Sequence, residues 1–453
     1  MKCVTQCMYI IDMVQNKLKY ATPLIIIGIT EGEKMMNKVY LCIDLKTFFA
    51  SVECSERHLD PFKTNLVVAD PTRGNGALCL AITPKMKSMG IHNRCRIFEI
   101  PKGVEYITAM PRMHLYMEYS ARIYRIYCRF VSPDDIHVYS IDECFIDISS
   151  YMHLYHKSAK EFAKMLMKAV FDETHITATC GIGTNLYLAK VALDIISKHT
   201  KENIGILDEE RYQKYLWHHL PITDFWHMGS GTANHLLRLG VVDMHGITQI
   251  PEEVLYKEFG INAEYIIDHA WGREPATIAS IKKYRPKNES VNNSQVLFSD
   301  YEYEDALLVV KEMVELNVLR LVESHLVTNH ISLYIGYSRT DGGGWAGGSR
   351  KLTVHTNSLN ILMDEFISLY HLKVKKGRMI RQISISFGDV LDECYESYDL
   401  FSDIEALEEE KKLQRTIVSI RHKYGKNAIL KLMNKQEKAT TEKRNTLIGG
   451  HNA

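Results

Sequence analysis

What this chain lacks narrows it first. It has no net charge, because 55 lysines and arginines balance 55 aspartates and glutamates. Global charge therefore gives no argument for or against a nucleic-acid partner, and only its local distribution is informative. Ten cysteines occur, yet no two form a Cys-x-x-Cys pair, and Cys3 and Cys7 have no partner His or Cys at finger-like spacing. This argues against a structural zinc and against a disulfide framework, and points to reduced thiols in a cytoplasmic protein. No apolar run reaches the ~20 residues a membrane helix needs; Leu24 to Ile29 falls far short. The first 34 residues also lack a signal-peptide layout, and there are no internal repeats.

What is present reads as a multidomain globular protein. A length of 453 residues suggests about three domains. With 46% hydrophobic and 24% charged residues, the chain is neither disordered nor fibrous. Residues 1–36 are read as an extension outside the native protein. Gly32-Glu33-Lys34 precedes Met35-Met36, and Gly-Glu is what a purine-rich ribosome-binding site gives when translated. The expected start is Met35 or Met36, and native peptides from residues 1–34 would overturn that.

The most informative segment is Val138-Tyr139-Ser140-Ile141-Asp142-Glu143-Cys144-Phe145-Ile146-Asp147. Apolar β-formers flank Asp142 and Glu143, so two short strands are expected to meet at an acidic corner. Adjacent acids raise each other's pKa, and a divalent cation between them removes that cost. A third acid stands in the same setting: Val39 to Ile43 is a buried-type strand, and Asp44 ends it. Ordinary turn acids are the bland alternative; two such strand ends favour a metal site.

Along the chain, strand 39–43 leads to a helix near 47–58, and an insert with Pro61, Pro71, Gly74 and Gly76 follows over about 60–110. A helix is expected over 113–130, strands over 136–141 and 144–148, and a helix over 158–171. Strand 176–182 then ends at Gly181-Ile182-Gly183 and runs into helix 184–198. This order is a ferredoxin-like split βαβ with an insertion, which brings Asp44, Asp142 and Glu143 to one sheet edge. Residues 206–280 read as helical. There Trp226-His227-Met228-Gly229-Ser230-Gly231 forms the glycine turn of an αα-hairpin, which is either a plain connection or a site offering N–H groups to a DNA phosphate. A polar linker, 282–293, is basic at its start. An α+β unit over 294–388 follows, with strands 330–337 and 378–387. Arg339, Arg350, Lys351, Lys373, Lys375, Lys376, Arg378 and Arg381 surround those strands, as a solvated surface or a phosphate-tracking face. Asp389 to Glu410 holds ten acids and no base. A helix near 404–424 and disorder after about 437 are expected.

Asp44-Leu45-Lys46-Thr47-Phe48-Phe49-Ala50-Ser51-Val52-Glu53, taken with Ser140-Ile141-Asp142-Glu143, resembles the Y-family, the translesion DNA polymerases of the UmuC/DinB type. The resemblance runs from about Val39 to Asp389. Asn93 to Pro101 and Tyr424 to Leu430 resemble the branch of Gram-positive UvrX-type UV-damage repair proteins. The fold implied is a multidomain α+β right-hand polymerase. Its parts are a ferredoxin-like palm (37–58 and 108–205), a small fingers insert (59–107), a helical thumb with helix-hairpin-helix (206–281) and an α+β little finger (294–389). The linker is 282–293 and the tail 390–453. The activity implied is template-directed nucleotidyl transfer past damaged bases in DNA repair, on primer-template DNA and dNTP, with two Mg²⁺ ions about 4 Å apart. Asp44 and Asp142 bridge both ions, Glu143 holds the catalytic one, and the Leu45 carbonyl reaches the nucleotide-bound one.

Phe49 matches the steric gate, a ring that leaves room for a 2′-hydrogen but not a 2′-hydroxyl; Phe48 suits the core. Lys190 matches a phosphate-binding lysine. Thr83 and Lys87, in Thr83-Pro84-Lys85-Met86-Lys87, fall at the nucleotide position of the fingers. Here Pro84 replaces a frequent tyrosine, lysine replaces a fork-shaped arginine, and Lys46 replaces a frequent second acid. Gly229 and Gly231 match the DNA-contacting hairpin. Tyr398-Asp399-Leu400-Phe401 resembles a sliding-clamp peptide with Ser397 and Tyr398 in place of its first two residues; a hydrophobic tether is the alternative. Two rival readings are a non-catalytic DNA- or clamp-binding relative and another two-metal palm enzyme.

Overall fold

A computed structural model describes residues 38–286, 289–400 and 402–452. The expected extension, residues 1–36, lies outside them. Two compact units are present. One is built from the chain up to Tyr284 together with His451 and Asn452, and the other runs from Arg285 to Gly450.

The first unit is organised on β1 (Tyr40–Leu45), whose residues are all buried except the half-buried Asp44. Such a continuous apolar run belongs in the middle of a sheet covered on both faces. With β5 (Ile136–Val138), β6 (Glu143–Asp147), β7 (Ala178–Gly183) and β8 (Ile204–Leu207) it forms a five-stranded sheet of order β5-β6-β1-β7-β8. Each of the first four strands is antiparallel to the next in that order, and β8 lies parallel to β7. Two strand ends differ from expectation. β1 continues to Leu45, because the Leu45 N–H donates to the Asp142 carbonyl at 2.9 Å. β5 stops at Val138, so Asp142 occupies the bend and not a strand end.

Gly181 and Gly183 let a helix sit directly on the sheet. A Cβ at Gly181 would lie 2.0 Å from the Ala189 carbonyl oxygen, and one at Gly183 2.2 Å from the Ala189 nitrogen. The helix so admitted, Leu186–Val191, carries Lys190. It does not run on regularly to residue 198; a π-turn, Ala192–Ile196, and a 3-10 turn, Ser197–His199, replace its second half.

The insert is a separate small sheet of β2 (Leu66–Val68), β3 (Ala81–Ile82) and β4 (Ile107–Ala109), in the order β3-β2-β4. Its own core includes Val67, Cys79, Ile82 and Met86. Helices Glu209–Leu216, Ser230–Arg238, Met244–Thr248, Glu252–Phe259, Ala263–Ala270 and Ile278–Lys283 follow, most of them packed on Tyr212, Phe225, Leu236 and Ile266. The glycine turn is preceded by one 3-10 turn, Ile222–Asp224, and not by an α-helix.

In the second unit β9 (Glu289–Tyr301), β10 (Leu326–Tyr337), β11 (Trp345–Thr356) and β12 (Ile380–Asp392) form an antiparallel sheet of order β11-β10-β12-β9. Helices Tyr303–Glu323 and Leu359–Lys373 bury Val310, Met313, Leu362 and Phe366 against it. The expected linker shrinks at both ends, since Lys282 and Lys283 finish a helix and the first strand begins at Glu289. Three of the eight basic residues around the strands are neutralised: Arg350 by Glu365, Arg378 by Asp341 and Arg381 by Asp300.

The tail helix spans Ile404–Tyr424 as expected. Disorder after about 437 is overturned. The Glu312 carboxylate, 2% exposed, accepts from Asn434 Nδ2 (3.0 Å), Thr440 N (2.7 Å), Thr440 Oγ1 (3.0 Å) and Thr441 N (3.2 Å). Polar composition misleads here because the partner that collects these donors lies more than 120 residues earlier. Among the described residues no helix is long and apolar enough to cross a membrane.

Candidate active site

The sheet register brings the predicted acids together. Asp44 on β1 and Glu143 on β6 are direct cross-strand partners, which puts their Cβ atoms about 5 Å apart on one face. The Leu45–Asp142 backbone hydrogen bond joins the third acid to the same corner. Burial first, and then the neighbouring charges of Asp142 and Glu143, push the Asp44 carboxyl up to about 8. An acid held this far above its ordinary value is short of positive charge. Three hard carboxylates at one sheet edge are the donor chemistry of a divalent cation such as Mg²⁺.

Each acid has a further partner. Asp142 Oδ1 accepts from Ser140 Oγ at 2.6 Å. Glu143 meets Lys190 Nζ at 2.8 Å and Cys42 Sγ at 3.1 Å. Burial still raises the Glu143 carboxyl against the pull of Lys190. Lys190 itself is 8% exposed and also reaches Asp194 at 3.0 Å. Burial works against its charge, but Glu143, Cys42 and Asp194 outweigh it and hold the ammonium well above its ordinary pKa. Lys190 is thus engaged by acids within the protein. The three acids' oxygens do not all lie within 4.8 Å of one another in this arrangement.

The turn after β1 is strained. Thr47 takes a left-handed conformation (φ 46°), which is costly for a β-branched residue. The Ser51 hydroxyl braces it by donating to the Lys46 carbonyl at 2.6 Å. The helix that follows, Phe48–Glu56, buries Phe48 and leaves Phe49 half-buried. Phe49 stacks on Tyr116, with ring centroids 4.5 Å apart and planes 19° from parallel. Tyr116 is locked in turn by Glu53, which accepts its hydroxyl at 2.8 Å and Arg112 at 2.9 and 2.7 Å, and also pairs with Arg57.

The remaining predicted residues divide. Lys87 is exposed as a residue on helix Pro84–Ser88, yet the protein around its ammonium strips enough hydration to lower its pKa; Asp44 opposes this, and nearby Lys198 and Lys46 add to it. Thr83 departs from expectation. It is fully buried, and its hydroxyl is engaged with the Thr64 carbonyl (2.8 Å) and the Leu66 N–H (3.2 Å), so it secures the start of that helix. Gly229 caps helix Ser230–Arg238, and Gly231 lies in its first turn. Both are exposed, and a Cβ at either would meet nothing within 4 Å. Tyr398 is partly exposed and Leu400 is 99% exposed, which removes the tether alternative for Leu400; Phe401 lies outside the described residues.

Sequence reasoning passed over Asp194, Ser140, Cys42 and Tyr116. Asp194 alone left a signal, standing four residues after Lys190 at the spacing of a helical ion pair.

The impB/mucB/samB family matches residues 43–194, and its C-terminal domain matches residues 288–400. A Bacillus subtilis protein named "Putative UV-damage repair protein UvrX" is 32% identical over 91% of this chain and 97% of its own length. The chain belongs to this family, the Y-family of DNA polymerases. A second relative of this Y-family chain, "DNA polymerase IV 2" of Halalkalibacterium halodurans, is 27% identical over 92% of the chain and all of its own length. A solved Y-family DNA polymerase chimera shares the fold, with a TM-score of 0.59 and 19% identity over 78% of this chain and 99% of that one. Polymerases of this family depend on divalent metal, and the carboxylate corner of β1 and β6 has the donors to hold one.

Proposed function

We propose that this chain is a template-directed DNA polymerase of the translesion type, acting on primer-template DNA and dNTP in DNA repair. The observation that carries the reading is the direct pairing of Asp44 with Glu143 beside the Leu45–Asp142 bond. In this reading residues 37–58 and 108–205 are the palm, 59–107 the fingers and 206–281 the thumb. The little finger takes in the whole sheet from Glu289 to Asp392 and not only 294–389.

Bound at the corner, two Mg²⁺ ions supply charge neutralisation and a more acidic primer 3′-hydroxyl. Asp44 and Asp142 are assigned to both ions, Glu143 to the catalytic one and the Leu45 carbonyl to the nucleotide side. Lys190 and Lys87 are assigned to the triphosphate. A single ammonium at Lys87 gives a weaker, less directional grip than a guanidinium fork. Phe49, braced by Tyr116, is the steric gate. Gly229 and Gly231 leave the N–H groups of a helix start bare for a template or primer phosphate. Tyr398, Leu400 and Phe401 are assigned to a sliding clamp, which the full exposure of Leu400 supports. Loss of clamp pull-down on Leu400→Ala with Phe401→Ala is the expected result, and retained pull-down removes that assignment.

Primer extension on an undamaged template with Mg²⁺, beside Asp142→Ala/Glu143→Ala, tests the whole. Extension by the native chain and none by the variant is expected. Binding without extension would favour a non-catalytic relative, and a reaction of nucleotide without template would favour another two-metal enzyme.

A further inference from the structure

The helical part of the first unit holds a cluster that the polymerase reading leaves unused. His218 follows helix Glu209–Leu216, while Asp243 caps helix Met244–Thr248 and His245 lies in its first turn. One ligand atom from each of the three lies within 4.8 Å of the other two. His218 Nδ1 stands 2.8 Å from Asp243 Oδ2. The two segments are pinned by their backbones, since the His245 N–H donates to the Trp217 carbonyl at 3.1 Å.

The Asp243 carboxylate is divided between two tasks. Its Oδ1 accepts the Gly246 N–H at 2.7 Å and so cannot swing away, which leaves Oδ2 turned toward the imidazoles. The His245 ring lies 5.0 Å from the Trp217 ring and 4.9 Å from the His218 ring. Among the described residues, neither of its nitrogens meets a hydrogen-bond partner. A plain His–Asp ion pair accounts for His218 and Asp243. It leaves unexplained a second imidazole held beside them with its nitrogens unpaired.

We propose that His218, Asp243 and His245 form a binding site for a divalent transition metal of the zinc class. Two imidazole nitrogens and one carboxylate oxygen, with water as fourth ligand, is a set zinc accepts. Imidazole donors select against Mg²⁺, which takes oxygens, so the site is chemically separate from the carboxylate corner. The Gly246 amide orients the carboxylate, as partners behind a metal's ligands commonly do. An occupied site ties the end of helix Glu209–Leu216 to the start of helix Met244–Thr248, and metal supply then sets the rigidity of this helical region.

The test uses the full chain carrying Asp142→Ala/Glu143→Ala, so that the carboxylate corner does not compete. Metal is stripped with a chelator, and Zn²⁺ alone is titrated against a chromophoric competitor while thermal unfolding is followed. One Zn²⁺ per chain and a raised melting temperature are expected, with no such rise from Mg²⁺. His218→Ala and His245→Ala should each weaken binding by at least ~10-fold and abolish the thermal rise. The His218 side chain is 72% exposed, so its removal leaves the fold intact. Asp243→Asn keeps an oxygen for the Gly246 cap and should still lose affinity. Binding by these variants as tight as by their parent, or no binding by the parent, overturns the site and leaves the polymerase reading standing.

Discussion

Replacing Glu53 by alanine removes the acid that holds Tyr116, and through it Phe49, in place. Glu53 is fully buried and accepts from Arg112, Tyr116 and Arg57. Removing one partner of a buried ion pair costs about 3–5 kcal/mol, because the other charge is stranded. Here the side chains of Arg112 and Arg57 are 43% and 36% exposed and regain water, which moves the cost toward the lower end. Tyr116, itself fully buried, loses the acceptor its hydroxyl has among the described residues, at about 1–3 kcal/mol. A total near ~4–6 kcal/mol follows for Glu53→Ala, and ~1.5 kcal/mol for Tyr116→Phe, which keeps the ring under Phe49. The two changes should couple by at least ~1 kcal/mol in a double-mutant cycle. Urea unfolding followed by tryptophan fluorescence measures this, since three of the four tryptophans (217, 226 and 271) lie in the first unit.

The pH dependence has a definite sign. Burial alone would raise the Glu53 carboxyl, but hydrogen bonds from Arg112, Tyr116 and Arg57 bring it below its ordinary value. Its stabilisation is present above the unfolded glutamate pKa, about 4.3, and is lost as pH falls through the depressed folded value. Glu53→Gln should flatten the acid limb of the stability curve. Stability of Glu53→Ala within ~0.5 kcal/mol of the native chain, or additive single changes, would refute the argument.

Three further outcomes are expected. Phe49→Ala should raise the ratio of rNTP to dNTP incorporation in primer extension, and an unchanged ratio would remove it as the gate. Glu312→Ala strands the donors of Asn434, Thr440 and Thr441; limited proteolysis should then cut between 425 and 450 faster than in the native chain, and an unchanged pattern would show another anchor. Lys87→Arg supplies two parallel donors and should lower the apparent KM for dNTP about 3- to 10-fold; an equal or higher KM would place Lys87 away from the triphosphate.

The local chemistry of the site was readable. Asp44, Asp142 and Glu143 stood out because an acid next to a buried-type strand is expensive unless something pairs with it. The split βαβ order predicted that the three acids would gather at one sheet edge, and the pairing of β1 with β6 sets Asp44 opposite Glu143. Phe48 and Phe49 were separable because adjacent residues on a helix point to different faces.

Partnerships across long stretches of chain were not readable. Composition made residues 438–452 look free, yet Glu312 gathers their donors. Thr83 matched a nucleotide position, yet its hydroxyl is engaged with Thr64 and Leu66. The sequence by itself determined the acids, their strands and the family to which they belong, since motif and period are properties of neighbouring residues. Only the tertiary structure decided that Lys190 rests on Glu143, that Tyr116 lies under Phe49 and that His218 meets Asp243 and His245. Those contacts join residues from 25 to more than 60 positions apart, and packing alone, which no local pattern records, brings such pairs within hydrogen-bond or van der Waals reach.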